Sequence, residues 1–104
     1  MHNIMNETEQ LAYTYLKAFG FEESEIVPVV AKGMADLEMI LTKLKTMLSH
    51  SPETHSMEEM DDVLHALKGL LSHLGNQALS EKIEALRAYE DMQALHQALN
   101  ELLF

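Results

Sequence analysis

The sequence predicts an all-α protein, and three observations carry that prediction. Apolar residues recur at intervals of three and four through most of the chain. Only 4 Gly and 2 Pro interrupt 104 residues, too few for a fold built on frequent tight turns. No stretch alternates apolar and polar residues in the manner of a strand. The connections between periodic stretches are short, so neighbouring helices should run antiparallel. The expected architecture is an up-down antiparallel four-helix bundle with an additional N-terminal helix, a single domain over residues 1–104.

Each element follows from its own signals. Leu11, Ala12, Tyr15, Leu16 and Phe19 form the first stripe, opened by Asn6 as N-cap with Glu9 three residues on, and closed by Gly20. A short acidic segment from Phe21 to Ile26 follows. Pro28 suits the start of a second helix, because its missing N–H is not needed there. Val30, Met34, Leu37, Leu41, Leu44 and Leu48 then step by three and four across at least five turns, despite Gly33. Residues Ser49 to His55, with Ser51-Pro52, read as a loop. Ser56-Met57-Glu58-Glu59 is a capping-box signature opening a third helix that runs to Gly75. After Asn76-Gln77 a fourth helix carries Leu79, Ile83 and Leu86. A turn near Glu90-Asp91 starts a fifth, with Met92, Leu95, Leu99, Leu102 and Leu103.

Composition narrows the function. Seven Lys+Arg against 17 Asp+Glu give a formal net charge of −10, which disfavours nucleic acid and anionic membrane, since phosphates would be repelled. The absence of cysteine excludes a disulfide framework, a thiolate zinc site and a thiol nucleophile. No apolar run approaches the ~18 residues of a membrane span, and the polar N-terminus is no signal peptide. A cytoplasmic monomer is the expectation. Six histidines in an acidic helical chain raise the question of a metal. Bundle sites use inward-facing Glu-x-x-His pairs, however, and the nearest matches are Asp62-x-x-His65, facing outward, and Gln93-x-x-His96, lacking the carboxylate. No metal is therefore expected. His50 and His55 belong in or beside a loop and should be solvated, while Met34, Met60 and Met92 fall on core stripes.

The third helix is the most informative. With His65 at the origin of a helical wheel, Leu74, Val63, Leu67 and Leu70 fall within about 40° of the opposite side, flanked by Met60 and Leu71. Around His65 lie Glu58, Asp61, Asp62, Lys68, Gly69 and Ser72, all within about 60°, and His73 sits at the border. His65 thus occupies the centre of the solvent face, where geometry rules out a hydrogen-bonded core histidine and the wheel alone leaves a plain surface histidine open. Lys68 and Gly69 follow one turn on. An interior Gly costs ~1 kcal/mol against Ala, and on an exposed face its use is to let another molecule approach the imidazole. The Lys beside it supplies a mobile cation suited to a phosphoryl group. A free imidazole, with a pKa near ~6.5, is mostly neutral and nucleophilic at neutral pH.

The run His65-Ala66-Leu67-Lys68-Gly69-Leu70-Leu71-Ser72-His73-Leu74-Gly75 resembles the histidine-containing phosphotransfer (HPt) domain, whose pattern is H-x-x-K-G followed by Leu-Gly before the next helix. The likeness extends through Leu79, Ile83 and Leu86, and the five-helix layout fits the whole chain. The resemblance implies a phosphorelay intermediate. His65 would take a phosphoryl group from an aspartyl phosphate on a receiver domain and pass it to another receiver. Lys68 would neutralise phosphoryl oxygens, and Gly69 would leave room for the partner. Ser72 and Arg87 are candidate supporting residues. The implied partners are response-regulator receivers, with a histidine kinase as a further candidate. No cofactor is implied on this chain, since the receiver brings the magnesium, and no kinase activity of its own.

Two positions depart from the family pattern. A small residue usually follows the Gly, where this chain has Leu70, assigned by the wheel to the core side. On the fourth helix many members carry Gln or Glu near the histidine, and the matching position is Arg87. An Arg there could reach phosphoryl oxygens or pair with a carboxylate such as Glu84 or Asp91. Two rival readings remain: a non-phosphorylated adaptor of the same fold, which would need neither His65 nor Gly69, and the phosphorylatable module of a chemotaxis-type kinase, which would need a separate kinase acting in trans.

Overall fold

Helix boundaries in this chain are set more by side-chain caps than by glycine or proline. In the computed structural model, which describes residues 3–104, five α-helices follow one another and no strand is present among the described residues. They are α1 (Ile4–Ala18), α2 (Glu23–Leu48), α3 (Met57–His73), α4 (Gln77–Leu86) and α5 (Met92–Leu103), with one 3₁₀ turn at Pro52–Thr54. Ser56, Asn76 and Asp91 cap α3, α4 and α5 by accepting a backbone N–H of the first turn, each where its sequence signal lies.

The first two starts differ from expectation. Helix α1 begins earlier, with Asn3 rather than Asn6 as cap; Asn6 instead donates its N–H to the Asn3 side chain at 3.3 Å. Helix α2 begins at Glu23, because Glu22 and Glu25 form a reciprocal capping box. That box turns the acidic segment into the first helical turn and leaves Pro28 inside the helix, not at its start. Pro28, with no N–H to donate, removes one intrahelical bond from the second turn.

The core runs along the stripes. Val30, Met34, Leu37 and Leu44 of α2 are buried with Met60, Val63, Leu67 and Leu71 of α3, Leu74 at its C-cap, Ile83 and Leu86 of α4, and Leu95, Leu99 and Leu103 of α5. Leu41, Leu48, Leu70, Leu79, Met92 and Leu102 are half-buried against them. Leu64, absent from the expected stripe, is buried as well. Helix α3 packs on both α2 and α4, so its apolar arc is wider than one partner would need. In α1 the buried line is Ile4, Thr8 and Ala12, not the aromatic side of the stripe. Phe19 is exposed and meets Tyr15 edge-on, with ring centres 4.9 Å apart. Tyr15 in turn covers Gly75, whose φ of +81° and lack of Cβ are both required there, since a Cβ would lie 2.5 Å from that of Tyr15.

The loop histidines also differ from expectation. His50 is exposed, but His55 is half-buried, its Nδ1 3.2 Å from Glu59 and its Nε2 enclosed without a partner. The 3₁₀ turn packs on α5 and shields this side of the chain. No helix among the described residues is long and apolar enough to cross a membrane.

Candidate functional site

Helix α3 presents His65 to solvent, as the wheel requires, because Leu64 and Leu67 on either side of it are drawn into the core. No hydrogen bond joins its ring to a described residue. Gly69, one turn on, faces open space: a Cβ built there would meet nothing within 4 Å. The structure therefore places an exposed imidazole beside an unobstructed turn of helix.

The side of His65 that faces α4 is polar. Helices α3 and α4 run antiparallel, as three cross-links show: Asp61 with Arg87, Lys68 with Glu84, and Ser72 with Ser80. Arg87 grips Asp61 through two parallel bonds, Nε to Oδ1 at 2.8 Å and Nη2 to Oδ2 at 3.1 Å. Its third nitrogen, Nη1, reaches Glu84 Oε2 at 3.1 Å, and the same oxygen takes Lys68 Nζ at 3.0 Å. The result is a continuous chain, Asp61–Arg87–Glu84–Lys68, that passes His65 on one side. Of the two carboxylates weighed from sequence for Arg87, Glu84 is used; Asp61, one turn before His65, takes the place of Asp91.

These contacts set the ionisation of the group. The Arg87 hydrogen bonds hold the Asp61 carboxyl below the ordinary aspartate value, and bonds from Lys68 and then Arg87 do the same for Glu84. Both carboxylates hold Arg87 still more firmly in its charged form, Asp61 the more strongly. Asp61, Glu84 and Arg87 are therefore charged at neutral pH, and with the Lys68 ammonium the chain of contacts holds two positive and two negative groups.

Beneath this chain lies a small hydroxyl pair. Ser80 is fully buried and donates to the Lys68 backbone carbonyl at 3.1 Å. Its single proton is then used, so the 2.6 Å bond to Ser72 has Ser72 as donor. Ser72 is thus engaged with α4. Ser80 was not foreseen, although a Ser three residues before Ile83 on the core stripe was the available signal.

On its other side α3 borders α2 across an apolar groove of about 350 Å³, floored by Ile40, Met47, Val63 and Ala66, with Lys43 and Asp62 among its rim. His65 thus stands between a charged seam and an apolar groove. Among the described residues no group of three or more His, Asp or Glu is placed to hold a metal ion.

What the arrangement can do chemically is limited and definite. It offers an accessible imidazole with Lys68 one turn on and, one turn before it, Asp61 held by Arg87. No protein-family model, curated protein or solved structure was found to match this chain.

Proposed function

We propose that this chain is a phosphorelay carrier of the histidine phosphotransfer kind, with His65 as phosphoacceptor, Lys68 as the cation for the phosphoryl oxygens and Gly69 as the opening for the partner. The observation that carries the reading is the exposed His65 ring flanked by Lys68 and the open Gly69 turn. An exposed His and an interior Gly add nothing to the stability of a helix, and the partly exposed Lys68 ion pair adds little. An approaching phosphorylated protein has use for each of the three.

In this reading α2 to α5 form the up-down antiparallel four-helix bundle, with α1 packed beside it. A neutral imidazole nitrogen attacks the phosphorus of an aspartyl phosphate; the P–O bond to the aspartate breaks, its electron pair leaves with the carboxylate, and an N–P bond forms. The other ring nitrogen keeps its proton or releases it to water. The reverse attack by a second receiver's aspartate completes the relay. This chain supplies nucleophile, cation and access, and its partner supplies the rest of the chemistry.

The test is incubation with phosphorylated receiver domains and, separately, with phosphoramidate. Label on His65, labile to acid and stable to base, is the expected result. No label from either source would overturn the proposal in favour of an adaptor that binds without accepting phosphate.

A further inference from the structure

Lys68, the cation assigned to the phosphoryl group, is already occupied. Its ammonium lies 3.0 Å from Glu84 Oε2, and Glu84 shares that oxygen with Arg87 at 3.1 Å. We infer that Glu84 is a positioning residue that holds Lys68 away from His65 and gives it up when the histidine is phosphorylated, while Arg87 stays on Asp61. The inference rests on the phosphotransfer reading and concerns how that site is regulated.

Two asymmetries in the charged chain decide which link moves. The Lys68–Glu84 contact is a single ion pair between side chains 35% and 48% exposed, the type that adds little to stability. The Arg87–Asp61 contact is bidentate, and the Arg87 side chain is only 24% exposed. Breaking the first costs less. Geometry agrees with energetics: Lys carries a compact charge on four flexible methylenes and can swing along its own helix, whereas the Arg fork is fixed by two parallel bonds.

Charge gives the direction. Before transfer the four groups sum to zero, two cations against two carboxylates. A phosphoryl group on His65 adds roughly two negative charges beside them. Lys68 can leave its carboxylate without stranding it, because Glu84 still has Arg87, whereas Arg87 cannot turn to the phosphoryl group without giving up Asp61. The Glu84 oxygen shared by two cations is what lets one of them go. Glu84 therefore sets how much of Lys68 the phosphoryl group receives, and so how readily His65 passes its phosphoryl group on.

The experiment uses the full chain, phosphorylated with phosphoramidate and followed by phosphorus NMR through the last ionisation of the phosphoryl group. In Glu84→Gln that ionisation should fall by about half a pH unit, about threefold in proton affinity, because a freed ammonium favours the dianion. The shift should vanish in Lys68→Ala/Glu84→Gln and persist in Arg87→Ala/Glu84→Gln. Glu81→Gln, which removes an equal charge from an exposed position of α4, should leave it unchanged. A Glu84→Gln shift that is absent, that survives loss of Lys68, or that Glu81→Gln reproduces would overturn the inference. If wild type carries no phosphohistidine, the phosphotransfer reading falls first and this one with it; if wild type is labelled, the ionisation alone decides.

Discussion

Helix α3 packs apolar residues on both α2 and α4, but its two contacts differ at their exposed edges. Toward α2 it is apolar and close: Gly33 has no side chain, and Leu74 fills the space, so that a Cβ on Gly33 would lie 2.6 Å from a Leu74 methyl. Toward α4 it is polar and laced: a bidentate arginine, a shared carboxylate and a serine pair join the two helices above Ile83 and Leu86. The apolar side fixes where α3 sits, since burial of shape-matched surface is the larger energy. The polar side determines what surrounds His65. Separating the two tasks lets the surroundings of the imidazole change without moving the helix that carries it.

The largest effect should come from the residue between the two sides. His65→Gln is expected to abolish phosphoryl acceptance altogether while changing stability by less than ~0.5 kcal/mol, the usual range for an exposed position. Parallel urea melts and phosphoramidate labelling check both halves; retained labelling would remove His65 from the site.

Gly69→Gln should slow transfer from receivers by about a hundredfold, by displacing the partner from the attack geometry. Acceptance from phosphoramidate, too small to be blocked, should persist. Stability should not fall, because the position faces open space and an interior helix Gly is unfavourable. Equal slowing with both donors would mean that the substitution damages His65 instead of the approach.

Gly33→Leu attacks the apolar side. Overpacking against Leu74 should cost ~2–3 kcal/mol, read as a lower denaturation midpoint. Phosphoramidate acceptance per folded molecule should stay at the wild-type level. If acceptance falls with stability, the two sides of α3 are not independent.

The smallest effect concerns polar groups without the partners the seam provides. His96 of α5 is buried, and its Nε2 finds no hydrogen bond. Burial, and secondarily the nearby His55, lowers its proton affinity, with Glu53 opposing. The unfolded chain then takes up the proton at ~6.5 while the folded protein resists it, so stability is complete above that value and declines as pH falls toward the folded-state value. The carboxylates Asp61 and Glu84, held below their ordinary values, lose their contribution at lower pH still. His96→Leu should flatten the first decline and leave the second; thermal melts between pH 7 and pH 3 resolve them.

The fold and the site were legible to different depths. Helix α3 could be placed from Ser56, its stripe and Leu74-Gly75, because each signal is local and they agree. The starts of α1 and α2 could not, since Asn3 competes with Asn6, and a Glu22–Glu25 box outweighs Pro28, by margins that propensity does not resolve. The positions of His65 and Gly69 follow from angle alone, which is why a wheel sufficed. The state of Lys68 does not: its partner lies on another helix, and only the register between α3 and α4 brings Glu84 to it. The burial of His55 and His96 is illegible in the sequence for the same reason. Their burial comes from the packing of a 3₁₀ turn on α5, which no single-helix pattern contains.

One bond has a bearing on how the chain assembles. Asn76 caps α4 and donates to Thr8 of α1 at 2.9 Å, across 68 residues of sequence, and both side chains are buried. Every link between α3 and α4 spans 26 residues or fewer. Contacts of low sequence separation close quickly, and distant ones wait for the intervening chain to be ordered. The α1–α2 and α3–α4 pairs are thus natural early hairpins, and the Thr8–Asn76 bond can form only when the two meet. Refolding of Thr8→Val should then be close to wild type in rate, with the penalty appearing in unfolding. On that route the charged seam beside His65 is complete before the α1–α2 pair is clasped, through Thr8, to the end of α3.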